Sequence, residues 1–135
     1  MEKLEFRDQL PASCPPDEAV STENTIVYRL SFTTSENTTE DFISHWNKYP
    51  KRRVSFANNE CIAHGLSVYK TEENLRNALT MPALKKASGK VTCILQIALN
   101  VSDGLIMNTC NDQHYTWWVS STFVPDRSKI TRIDI

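Results

Sequence analysis

The sequence predicts an α+β domain, with a mixed or mainly antiparallel sheet of about six strands and two helices in the order β-α-β-α-β-β-β-β. Three observations lead there. Short β-branched and aromatic runs recur along the chain, among them "TIVYRLSF", "HGLSVYKT" and "KVTCILQIALNV". Helical patterns fall only between the early runs. The late runs follow one another with turn residues between them.

The elements follow in chain order. Residues 1–24 contain "LPASCPPDEAVSTEN", rich in proline and small polar residues, which favours an extended or poorly ordered arm; residues 25–135 form the single folded domain. In "TIVYRLSF", alternation places Ile26, Tyr28 and Leu30 on one face and Val27, Arg29 and Ser31 on the other. "NTTEDFISHWNKYP" reads as a helix capped by Thr38 or Thr39 and closed by Pro50, with Phe42, Ile43 and Trp46 sharing one face and Trp46 as a core anchor. "HGLSVYKT" is the second strand, and Thr71 caps the helix "EENLRNAL", whose apolar face is Leu75, Ala78 and Leu79. "MPALKKASGK" can add a turn, with Pro82 at its first position. "KVTCILQIALNV" is apolar on both faces and so expected to be central. "GLIMNT", "HYTWWVSSTFV" and "KITRIDI" complete the strands, and the last can pair within the sheet or with a second copy.

A net charge of −1 over 135 residues argues against a nucleic-acid footprint spread over the whole surface. Its apolar runs are too short to span a membrane. The start "MEKLEFRDQL" carries charges where a signal peptide needs an apolar stretch, so a cytoplasmic location is expected. Cys14, Cys61, Cys93 and Cys110 form no CxxC pair and no zinc-ligand spacing, so no metal site is expected. Reduced thiols are the expectation for that compartment, with Cys93 buried in its strand.

Several residues could carry chemistry. Arg29, in an otherwise apolar strand, must be paired or face a cleft, and its planar fork suits phosphate or carboxylate. Ser67 and Tyr69 share a face of the second strand, just before the helix cap at Thr71. In "HYTWWV", alternation sets His114, Thr116 and Trp118 opposite the core-facing Tyr115, Trp117 and Val119. An indole that stacks on a flat ring, beside an imidazole and a hydroxyl that bond to it, would line a pocket; an edge strand with a half-covered second face reads equally well. The basic run "NKYPKRR" (Lys48, Lys51, Arg52, Arg53) is a candidate phosphate contact or a solvated loop.

"HGLSVYKTEENLRNAL", "VTCILQIALN" and "HYTWWV" together resemble a loose group of small uncharacterised bacterial proteins with GLSV-aromatic and HYT-aromatic-W motifs, over roughly residues 60–120. Gln113 and Trp118 depart from that pattern, and no activity comes with it. A fainter likeness is to the ADP-ribosyltransferase superfamily, carried by Tyr28-Arg29, by Gly65 to Thr71 and by the strand from Val91. That likeness implies NAD as the ligand, with Arg29 on its pyrophosphate and Tyr69 against nicotinamide. The late-strand glutamate those transferases use is missing, and His114 is the candidate acid or base in its place.

Two functions therefore stand as expectations. The first is a non-enzymatic cytoplasmic binding module, the protein partner or accessory component of a bacterial defence or toxin-type system. The alternative is a nucleotide-binding enzyme or a degenerate ADP-ribosyltransferase-like domain using Arg29, Ser67, Tyr69, His114, Thr116 and Trp118.

Overall fold

The computed structural model describes residues 4–33, 40–56, 59–81, 90–109, 114–125 and 129–135. Strands β1 (Val20–Ser21), β2 (Thr25–Ser31), β3 (Leu66–Tyr69), β4 (Cys93–Leu99), β5 (Gly104–Asn108), β6 (His114–Val119) and β7 (Ile130–Ile133) form one sheet, ordered β1-β5-β6-β3-β2-β4-β7. All the pairings between these strands are antiparallel. The α+β class is as expected, but the sheet has seven strands because β1, inside the N-terminal segment, pairs with β5 through Val20↔Ile106 and Ser21↔Leu105. The apolar β4 lies between β2 and the edge strand β7, not at the centre of the sheet.

The helices are shorter than expected. The first helical pattern divides into a 3₁₀ turn, Glu40–Phe42, and α1 (His45–Lys48), with a second 3₁₀ segment, Pro50–Phe56, after it. Ser44 causes the break: its backbone is extended, and its side chain accepts the N–H of Asn47 while donating to Asp8 Oδ2. The separate pieces lose the common apolar face, so Ile43 is exposed and Trp46 is half-buried, stacked on His64 rather than anchoring the core. A further helix, α2 (Glu60–Ala63), precedes β3, and α3 (Glu72–Ala78) follows it with Thr71 as its cap, accepting from Asn74 N at 3.1 Å. Thr38, Thr39, the 82–89 extension, Cys110 and Gln113 lie outside the described residues.

One face of the sheet carries the main core: Val27, Leu66, Val68, Leu95, Ile97 and Trp117, closed over by Phe42 and Phe123. Phe123 meets Trp117 edge-on at 4.9 Å, and Phe42 meets it at 6.3 Å. Gly104 permits the tight approach of β5 to β6, since a Cβ there would lie 2.0 Å from the Trp118 carbonyl oxygen, at a φ of +139°.

Residues 4–24, for which composition suggests an extended or poorly ordered arm, lie against this domain. The Arg7 N–H donates to the Val119 carbonyl, and the Arg7 guanidinium to the carbonyls of Phe123 and Phe42. Asp8 accepts from Ser44 and Asn47 and pairs with His64 Nδ1 at 2.8 Å. These polar anchors act beside the β1–β5 pairing and the Phe6–Ser120 bridge, and a composition argument does not register them. Cys14 and Cys61 form a disulfide where reduced thiols were expected, while Cys93 is buried and free. The two half-cystines are 47 residues apart and meet because the segment folds back over α2. No helix among the described residues is long and apolar enough to cross a membrane.

Candidate functional site

Strands β2 and β3 pair at one position, Tyr28↔Tyr69. Next along β2, the side chain of Arg29 substitutes for the ladder. Its Nη1 donates to the Ser67 carbonyl at 2.7 Å, and its Nε to the Asp41 carbonyl at 2.7 Å. Both acceptors are main-chain oxygens. The Asp41 carboxylate is taken up by Ser31 Oγ (2.6 Å), the Phe32 N–H (3.1 Å) and Thr33 Oγ1 (3.1 Å). Arg29 Nη2 therefore has no partner among the described residues and remains available to a ligand. Burial lowers the Arg29 pKa to about 10, an effect the Asp41 charge opposes, and the group stays cationic at neutral pH.

Across β3 and β6 the register pairs Ser67 with Thr116 and Tyr69 with His114. The Ser67 hydroxyl and His114 Nε2 share a diagonal hydrogen bond on this face. Thr109 Oγ1 lies 3.2 Å from His114 Nδ1 and 2.7 Å from Thr116 Oγ1, extending the chain of hydroxyls. Burial first, and the Arg29 charge second, lower the His114 pKa below its ordinary value. The imidazole is accordingly neutral at pH 7, with a hydroxyl at each nitrogen.

These residues line a cavity of about 230 Å³, formed by Arg29, Ser67, His114 and Thr116 with His45 from α1 and Asn59, Ile62 and Ala63 at α2. Gly65 forms part of its wall: a Cβ at that position would sit 2.2 Å from Thr116 Cγ2. Four of the six residues singled out from the sequence thus converge. Tyr69 stands beside the cavity, edge-on to His114 at 5.6 Å. Trp118 shares the face of Thr116 but does not reach the cavity. It is 0% exposed, and its Nε1 donates to the Cys61 carbonyl of α2 at 2.8 Å. The helix that covers Trp118 was invisible to strand alternation, so its assignment as a ring platform is replaced by a structural one. His45, Asn59, Ile62 and Thr109 escaped sequence reasoning. Their only signal is position at the ends of elements, and those ends are set by tertiary packing.

Such a cavity offers an anion contact, neutral hydrogen-bonding groups and apolar walls. A serine beside a neutral histidine is also the geometry of nucleophile and base, although the group behind His114 is the Thr109 hydroxyl and not a carboxylate. Among the described residues no cluster of His, Cys, Asp and Glu could hold a metal ion. Compared with known proteins, the chain matches no family model, no curated protein and no solved structure.

Proposed function

We propose that the domain binds a small anionic ligand of nucleotide type in the Arg29–Ser67–His114–Thr116 cavity. The supporting observation is the convergence of β2, β3 and β6 on one cavity in which Arg29 Nη2 is uncommitted. Arg29 would hold the anionic group, Ser67 and Thr116 would bond to polar edges of a ring, and Ile62 and Ala63 would cover its faces. His114 would serve as a neutral acceptor or donor and as the only acid or base offered by a β-strand at the site. Binding is favoured over glycosyl transfer because no carboxylate side chain is among the described residues lining the cavity. NAD, which the ADP-ribosyltransferase likeness implies, is one member of the ligand panel. Thermal melting and calorimetry against AMP, ADP, NAD and adenosine test the reading. A raised Tm in the wild type that disappears in Arg29→Gln supports it; no response to any member overturns it.

A second reading, the protein partner expected from the sequence, draws on Ile43, Val54 and Ile62, which are 37%, 88% and 40% exposed. Membership of a defence or toxin-type system belongs to that reading. Co-purification of one stoichiometric partner, lost in Val54→Glu, would favour it.

A further inference from the structure

Beside the cavity just described lies a second, larger cleft of about 600 Å³, and Arg29 and His45 line both. Its other cations are Lys48, Arg52 and Lys90, with Phe32 and Tyr49 as aromatic walls. Tyr49 organises two of them: Lys48 Nζ lies 5.7 Å from the ring centroid and the Arg52 guanidinium 4.9 Å. Lys48 also sits 5.9 Å from the centroid of Phe32. The rings hold these cations without neutralising them.

Neither Lys48, Arg52 nor Lys90 has a carboxylate partner among the described residues. The one carboxylate lining the cleft, Asp41, is 4% exposed and faces the end of β2, where it accepts from Ser31, Phe32 and Thr33. Among the described residues, four cations therefore line one concave space with a single, inward-turned anion. Gathering like charges around a concave cleft costs self-repulsion that an anionic ligand relieves. The same cations act on His45, whose pKa is lowered first by burial and only then by Arg29, Lys48 and Arg52.

We infer that this cleft is a subsite for a terminal di- or triphosphate group, continuous with the His114 cavity through Arg29, so that the ligand is a polyphosphate ester and not a monophosphate. At about 230 Å³ the first cavity is small for a nucleotide-sized molecule. Joined to the cleft it reaches the roughly 300–1,000 Å³ that small-molecule sites occupy. The inference rests on the proposed function for the identity of the ring end, but not for the phosphate end.

Calorimetry with inorganic pyrophosphate, tripolyphosphate and orthophosphate at fixed ionic strength tests the phosphate end alone. The expected order is tripolyphosphate, then pyrophosphate, then orthophosphate. Affinity for the first two should fall roughly tenfold or more in Lys48→Gln/Arg52→Gln, the scale of a lost charge-assisted contact. Both residues are exposed, so the change is expected to leave the fold intact, which the Tm of the variant checks. The adenosine response of that variant, which reads the ring end, should be unchanged. Equal, weak binding of all three phosphates by wild type and variant overturns the inference, even if AMP binds. Pyrophosphate binding without any gain from an attached nucleoside upholds the cleft and overturns the ring reading. Affinity for a single-stranded oligonucleotide that rises with length and exceeds that for tripolyphosphate overturns the inference in favour of nucleic acid.

Discussion

Ser67 Oγ and His114 Nε2 meet on the diagonal of the β3–β6 pair, where Ser67 lies opposite Thr116 and His114 opposite Tyr69. The bond ties the two strands together at the side-chain level and fixes the imidazole at the cavity wall. With Thr109 on Nδ1, the ring meets a hydroxyl at both nitrogens. Such an arrangement suits a neutral histidine that orients a ligand.

The first prediction concerns pH. His114 and His45 both have folded-state pKa values below the ordinary value, chiefly through burial. The unfolded chain thus binds more protons than the native one near and below pH 6.5. The stability these two residues contribute is complete above that pH and is lost as pH falls toward their folded pKa values. Denaturant midpoints at pH 7.5 and pH 5.5 should show the decrease, and His114→Gln should reduce it. An NMR titration placing His114 above 6.5 would contradict the burial argument.

Gly65 should tolerate no side chain while Thr116 keeps its methyl. With the new Cβ 2.2 Å from Thr116 Cγ2, Gly65→Ala is expected to cost roughly 1–3 kcal/mol, the range of overpacking. Thr116→Ser removes Cγ2 and keeps the hydroxyl bonded to Thr109, so the double variant should recover part of that loss. Equal losses in the single and double variants would locate the clash elsewhere, for instance at the Trp117 carbonyl 3.3 Å away.

The Cys14–Cys61 disulfide closes a span of 47 residues, for which loop-closure entropy gives about 4 kcal/mol. Replacing both cysteines by serine should lower stability by roughly 2–4 kcal/mol and free the N-terminal segment for proteolysis. Mass spectrometry after alkylation without reductant should find Cys14 and Cys61 protected. If both react at once under native, oxidising conditions, the clasp is not formed.

Asp8 has a larger part in holding the N-terminal segment than its place in an apparent tail suggests. Asp8→Ala removes the partner of His64 Nδ1 and leaves Ser44 and Asn47 side chains without an acceptor. A loss of roughly 1–3 kcal/mol is expected, the range for leaving buried hydrogen-bonding groups without a partner. Urea midpoints measure it; a change below about 0.5 kcal/mol, the scale of an ordinary surface substitution, would show that Arg7, the β1–β5 pairing and the disulfide hold the segment without Asp8.

The strands from β2 to β7 were readable because period-two patterning is local, while the two-residue β1 is too short to show it. Ser67, His114, Thr116 and Arg29 could be singled out for the same reason, as polar groups on strands otherwise built for a core. Trp118 shows the limit of that reasoning. Alternation correctly put it on the Thr116 face, but not under the four-residue α2, whose carbonyl at Cys61 binds its indole. Ser44 shows a second limit, since a side chain engaged by Asp8, 36 residues earlier in the chain, divides what reads as one helix.

By itself, the sequence determined the α+β class, the rough positions of the six strands from β2 to β7, the Thr71 cap and the burial of Cys93, all of which depend on neighbours a few residues apart. The tertiary structure alone decided the antiparallel order of the sheet, the return of the N-terminal segment through Arg7, Asp8 and Cys14, and the meeting of Arg29 with His114 and Lys48 around adjoining cavities. Those outcomes depend on contacts between distant residues, whose formation is governed by packing and by hydrogen bonds no local pattern encodes.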